Sequence, residues 1–168
     1  MFTLMLHSGL RVGEVSRLRV SDIDLKKGGT PALRVNGKGE QERMVYLSAT
    51  GAELLENYLN QRPEGTPEEV FLNRLGQAIT ITGIQYRLGC HCEQAGIWLT
   101  CHQLRHTFAC RMIAGDVPVV SIQKLLGHAS IRTTQRYVRV ADKKVENDYQ
   151  AAVGRLTNGS GLPEEGER

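Results

Sequence analysis

His102 and Arg105 place an imidazole and a guanidinium three residues apart, neighbours on one side of a helix. Thr100, just upstream, is a good N-cap. The pair therefore falls in the opening turn, where unpaired backbone N–H groups and the helix dipole favour an anion. A guanidinium adds a planar fork matched to phosphate oxygens, and an imidazole beside it can carry a proton. The plainer alternative has both side chains pairing with nearby carbonyls or carboxylates. Tyr137 lies among Arg132, Arg136 and Arg139. Those charges would stabilise an ionised phenol, the form in which a tyrosine attacks phosphorus; the bland alternative is a half-buried aromatic with its hydroxyl in water. Arg11 falls between two helices with Glu14 one turn on, able to brace its guanidinium or to form a simple helical ion pair. Lys38, between Gly37 and Gly39, is the basic residue that a hairpin tip can carry furthest from its sheet.

The elements that must hold these residues follow from pattern and punctuation. A helix is already under way at residue 1 and stops at Ser8-Gly9. A second runs from Val12 to Leu18, with Val12, Val15 and Leu18 on one face. Ala32–Asn36 and Glu42–Leu47 read as strands of a hairpin around Gly37-Lys38-Gly39. Ser48 caps a helix to about Asn60, Arg62–Glu69 is a loop, and Val70–Leu72 reads as a short strand. Thr80 opens a helix to about Gln94, despite Gly83 and Gly89. Thr100 opens another that ends near Gly115, with Leu104, Phe108 and Met112 as its apolar stripe. Pro118 opens the next, closing at Gly127. Ser130 to Val138 and Asp142 to Val153 complete the helices. Residues 157–168 are polar and Gly/Pro-rich, a disordered tail. The fold class is mixed α/β, mainly α-helical with a small antiparallel β-sheet.

Composition narrows the function without naming it. The chain has 168 residues, 40% hydrophobic and 23% charged, room for one domain with a real core. No apolar run approaches the roughly 18 residues of a membrane span. Four cysteines are too few for a secreted disulfide framework, so the expected compartment is reducing and cytoplasmic. Net charge is only +3, but eight Lys/Arg against two acids fall between Leu99 and Val145, which makes nucleic acid a candidate partner.

Four stretches together resemble one family, the catalytic domain of tyrosine recombinases, also called phage integrases. They are HSGLRVGEVSRLRVSDID (7–24), NGKGEQERMVYL (36–47), HQLRHTFACRMIAGD (102–116) and IQKLLGHASIRTTQRYV (122–138). They occur in the family's order and kind of spacing, and the resemblance covers about residues 1–153. It implies the tyrosine recombinase catalytic-domain fold over residues 1–156, and a DNA strand transferase working through a 3′-phosphotyrosyl intermediate. Arg11 and Arg105 are then the arginines on the scissile phosphate, and His102 handles a proton. His128 takes a position that the family fills with His or Trp, donating to a non-bridging oxygen. Lys38 is the general acid on the leaving 5′ oxygen, Tyr137 the nucleophile, and Glu14 the supporting acid. The partner is double-stranded DNA, bound as a homo-tetramer, with a monomer or weak oligomer when free. No cofactor, metal or membrane is implied. Relatives of this kind also carry an N-terminal helical DNA-binding domain, which has no counterpart in these residues, and the first helix reads as cut short. The alternatives are a catalytically silent DNA-binding or oligomerisation fragment of such a recombinase, and a type IB topoisomerase, whose chains usually embed this chemistry at greater length.

Other signals are weaker. Cys90, His91, Cys92, Cys101, His102, His106 and Cys110 invite a zinc reading, but C-x-C is not the usual C-x₂₋₄-C pairing and no clean second pair follows. Cys110 is expected to be packed. Trp98 is expected in the core.

Overall fold

The computed structural model describes residues 1–25, 29–37 and 42–127. Helix α1 (Phe2–Ser8) buries Leu4 and Met5 and stops at Gly9, whose left-handed φ of 66° lets its N–H close back on Met5 O at 3.0 Å. Arg11 is extended and acts as N-cap of α2 (Val12–Arg17), with Glu14 at the third position accepting the Arg11 N–H. A 3₁₀ turn (Val20–Asp22) then leads into β1 (Ile23–Asp24), a two-residue strand too short to leave a pattern in the sequence.

β1, β2 (Ala32–Asn36) and β3 (Glu42–Tyr46) form one antiparallel sheet in that order, with Leu33 opposite Val45 and Val35 opposite Arg43. Leu33, Val35 and Val45 point into the core. The expected strand at Val70–Leu72 is not one. Isolated bridges from Glu69 to Arg19 and from Leu72 to Ala78 replace it, because the segment splits its pairing between two short partners.

Helix α3 (Ala49–Asn60) starts where Ser48 accepts the Gly51 N–H, and α4 (Ile81–Gln94) where Thr80 accepts the Gly83 N–H. Ile84, Leu88 and Cys92 recur four apart on the buried face of α4, and that packing outweighs its two glycines. After α4 the left-handed Gly96 lets the Ile97 N–H bond back to Cys92 O at 3.0 Å, a helix stop that turns the chain outward. Trp98 is consequently 88% exposed, and the expectation of a core tryptophan is corrected. Helix α5 (Cys101–Ala114) opens on a reciprocal capping box between Thr100 and Gln103. Leu104 and Phe108 are buried on it, while Met112 and Cys110 are only partly so. Helix α6 (Val119–Leu126) follows Pro118 and ends at Gly127, left-handed at φ 62°.

The larger core lies among α1–α4, the first turns of α5 and the sheet; a second cluster of Phe108, Ala109, Ile113, Ile122 and Leu126 joins α5 to α6. Helix α5 packs on α1 and α6, and α6 also meets β3. This brings the α1–α2 junction, the sheet and the end of α6 to one place. No helix among the described residues is long and apolar enough to cross a membrane. The hairpin tip with Lys38, the helices expected at 130–138 and 142–153, and the tail at 157–168 lie outside the described residues.

Candidate active site

Glu14 is the anchor. Its side chain is 3% exposed, and a carboxylate that deep must be paired. Oε2 accepts the Arg11 backbone N–H at 2.7 Å and Arg43 Nη2 at 2.9 Å. Oε1 accepts Arg11 Nη1 at 3.0 Å and Arg43 Nη1 at 2.8 Å. Arg43 therefore grips both oxygens as a fork. Arg11 approaches from the opposite end of the sequence motif with its side chain 39% exposed, against 10% for Arg43.

The other half of the site is the C-terminal end of α6. A helix leaves its last carbonyls without intrahelical partners. Here the Gly127 N–H turns back to Gln123 O and Lys124 O. The next three carbonyls are each taken by a different arginine. Arg43 Nε donates to Leu125 O at 2.9 Å, Arg105 Nη2 to Leu126 O at 2.6 Å, and Arg11 Nη2 to Gly127 O at 3.0 Å. Three cations thus sit at the negative end of the helix dipole. Arg105 is only 4% exposed, and its Nη1 also donates to Gly9 O. Gly9 is required there: a Cβ at its position would collide with the Phe108 ring.

Burial by itself would raise the Glu14 pKa. The Arg43 hydrogen bonds, the Arg11 N–H and the charges of both arginines outweigh it and hold the carboxyl below its ordinary 4.5. A depressed folded pKa contributes stability that is present above the unfolded value and lost as pH falls through the folded one. Glu14→Gln should therefore flatten the acid side of a curve of Tm against pH below 4.5. At neutral pH it should cost about 3 kcal/mol, since the largely buried Arg43 guanidinium loses its counter-charge. Wild type and variant with parallel acid limbs would contradict this assignment.

Of the residues singled out in the sequence, Arg11, Glu14 and Arg105 are brought together, by direct contact or through adjacent carbonyls. His102 is exposed in the first turn of α5, whereas Arg105 lies one turn further in and is buried. The expectation that both sit in the opening turn is corrected for Arg105. Its pairing with carbonyls, posed above as the plainer alternative, is also what carries it to the end of α6. Lys38, His128 and Tyr137 lie outside the described residues. Among the described residues no cluster of three or more His, Cys, Asp or Glu is placed to hold a metal ion, and the four cysteines are free thiols.

Sequence reasoning missed Arg43. The available signal was its phase: on β3 it shares the inward parity of Val45 and Leu47, and a charge at a core-facing position needs a buried partner. The outward positions instead carry Met44 and Tyr46, 44% and 55% exposed. That inversion hid it.

The architecture agrees with what comparison with known proteins finds. The sequence model of the phage integrase family matches residues 1–144, and the chain belongs to that family. It is 36% identical over 157 residues to tyrosine recombinase XerC of Leptospira interrogans (serovar copenhageni), covering 90% of this chain and 49% of that protein. It is 35% identical over 158 residues to tyrosine recombinase XerD of Listeria innocua, covering 89% and 52%. The chain thus spans about half the length of these curated relatives. Among solved structures, XerA recombinase superposes with a TM-score of 0.75 at 30% identity, covering 88% of this chain and 55% of that one. XerH site-specific recombinase bound to a palindromic difH substrate gives 0.74 at 26%, covering 88% and 43%.

Proposed function

We propose that residues 1–156 are the catalytic domain of a site-specific tyrosine recombinase that cuts and rejoins double-stranded DNA. The observation that carries this reading is the convergence of Arg11 and Arg105 on adjacent carbonyls at the end of α6, with the chain running on from Gly127 into His128. Kinship to XerC and XerD, and the difH complex of XerH, support it.

In this mechanism the Tyr137 oxygen attacks the scissile phosphorus in line as its proton leaves, with His102 assisting. The bond to the 5′ oxygen breaks, and Lys38 delivers a proton to that oxygen. The 3′-phosphotyrosyl link conserves the energy of the bond, so no nucleotide is consumed. Charge growing on the non-bridging oxygens is met by Arg11, Arg105 and His128, the two arginines being already set in place. Glu14 keeps Arg11 oriented. Attack by a second 5′ hydroxyl reverses the chemistry onto a new strand and releases the tyrosine. Strand exchange requires several such subunits, and a homo-tetramer on DNA in the cytoplasm completes the proposal.

The test is a pool of nicked suicide duplexes at low salt, on which cleavage loses a short fragment and cannot reverse. Wild type should form a covalent protein–DNA adduct and Tyr137→Phe none. An equal yield of adduct from both would remove Tyr137 as nucleophile. No adduct, even after fusion to an N-terminal domain of a relative and supply of that relative's site, would favour the silent-fragment reading.

A further inference from the structure

We propose that Arg43 is a positioning residue of the strand-transfer site, the strut by which β3 sets both the Arg11 guanidinium and the end of α6. This inference rests on the recombinase reading. The geometry is specific. One planar guanidinium spends Nη1 and Nη2 on the two oxygens of Glu14 and its Nε on Leu125 O, at 2.8, 2.9 and 2.9 Å. Glu14 in turn holds Arg11 through its backbone N–H and its side chain. Arg11 then reaches Gly127 O, two residues beyond the carbonyl that Arg43 holds. The loop Arg43–Glu14–Arg11–Gly127–Leu125 closes on itself. It contains one strand, two helices and the residue immediately before His128.

No other residue type fits this position. A lysine keeps the charge but gathers its donors on one nitrogen, where three separate nitrogens of Arg43 are used. The cavity is also tight: a Cβ on Gly127 would come within 3.0 Å of Arg43 Cδ, so the bare glycine and the arginine stem occupy each other's margins. Arg43 touches neither DNA nor a reacting atom in this account. Its effect runs through Arg11 and through the main chain that leads to His128. Misplacing such groups by about 1 Å costs on the order of 100-fold in rate.

The experiment compares wild type, Arg43→Lys and Arg43→Ala on the suicide-duplex pool, reading the first-order rate of adduct formation at saturating protein and, separately, DNA binding by anisotropy. Both variants are expected to lose roughly 100-fold in rate, with binding changed by less than about threefold because no phosphate contact is removed. Millimolar ethylguanidinium should restore much of the rate to Arg43→Ala and none to Arg43→Lys, whose side chain still fills the space. A residue needed only for stability would give a rate tracking the folded fraction, without rescue. A folded Arg43→Ala variant at wild-type rate, or an unrescued loss, overturns the proposal. A wild type that forms no adduct counts against the recombinase reading instead. In that case amide hydrogen exchange decides the positioning claim without DNA: Arg43→Lys should speed exchange at Gly127 and Arg11 selectively, and uniform or unchanged exchange sinks it.

Discussion

Arg105→Met is expected to melt roughly 10 °C below wild type and to form no covalent adduct with DNA. The side chain is 4% exposed and donates to Gly9 O and Leu126 O, acceptors from segments far apart in the sequence. Methionine fills most of the volume but leaves two buried carbonyls unsatisfied. At about 1–3 kcal/mol for each, less what the apolar chain regains, the net loss is about 3 kcal/mol. Differential scanning calorimetry reads the stability, and the suicide duplex reads the chemistry. The two must fall together, because the same fork joins α1 to α6 and approaches the proposed phosphate site. A variant that melts like wild type would mean that those carbonyls find other donors.

Gly9→Ala should cost a comparable amount, about 3 kcal/mol, for reasons that can be separated. Its φ of 66° lies in the left-handed region, which charges an alanine about 1 kcal/mol. The added methyl also meets the Phe108 ring and comes within 2.9 Å of Leu126 Cδ2. Overpacking of that kind costs about 1–3 kcal/mol. Adding Phe108→Leu should return part of the steric cost, relative to Phe108→Leu alone, and none of the backbone cost. Urea denaturation at unchanged m-value measures both. Full additivity of the two substitutions would show that the ring is not what the methyl strikes.

Much of this protein is legible in its sequence where local rules act alone. Ser48, Thr80 and Thr100 cap helices where such residues should, and Gly9 and Gly127 end them in left-handed conformations. Helix boundaries therefore follow from the chain's own punctuation. The elements that local pattern does not reveal depend on distant partners. β1 has only two residues and exists because β2 pairs with it. Val70–Leu72 looks like a strand but divides its bonds between neighbours on either side. Trp98 is apolar and close to other apolar residues, yet the turn at Gly96 sends it outward. The site shows the same division. Arg11, Glu14, His102 and Arg105 announce themselves by motif, while Arg43 becomes visible only once β3 has a register and the charge is seen on its inner face.

The three acceptors at the end of α6 belong to the main chain, and this gives the site an uneven tolerance to change. Substituting Leu125 or Leu126 alters packing but cannot delete the carbonyl that an arginine holds. The helix side of the cluster is thus buffered against sequence drift at all but Gly127, where any Cβ meets Arg43. The donors have no such protection, since each is a single side chain that one codon change removes. Variation in this family member should therefore collect on the outer face of α6 and stay away from the three arginines that hold its end.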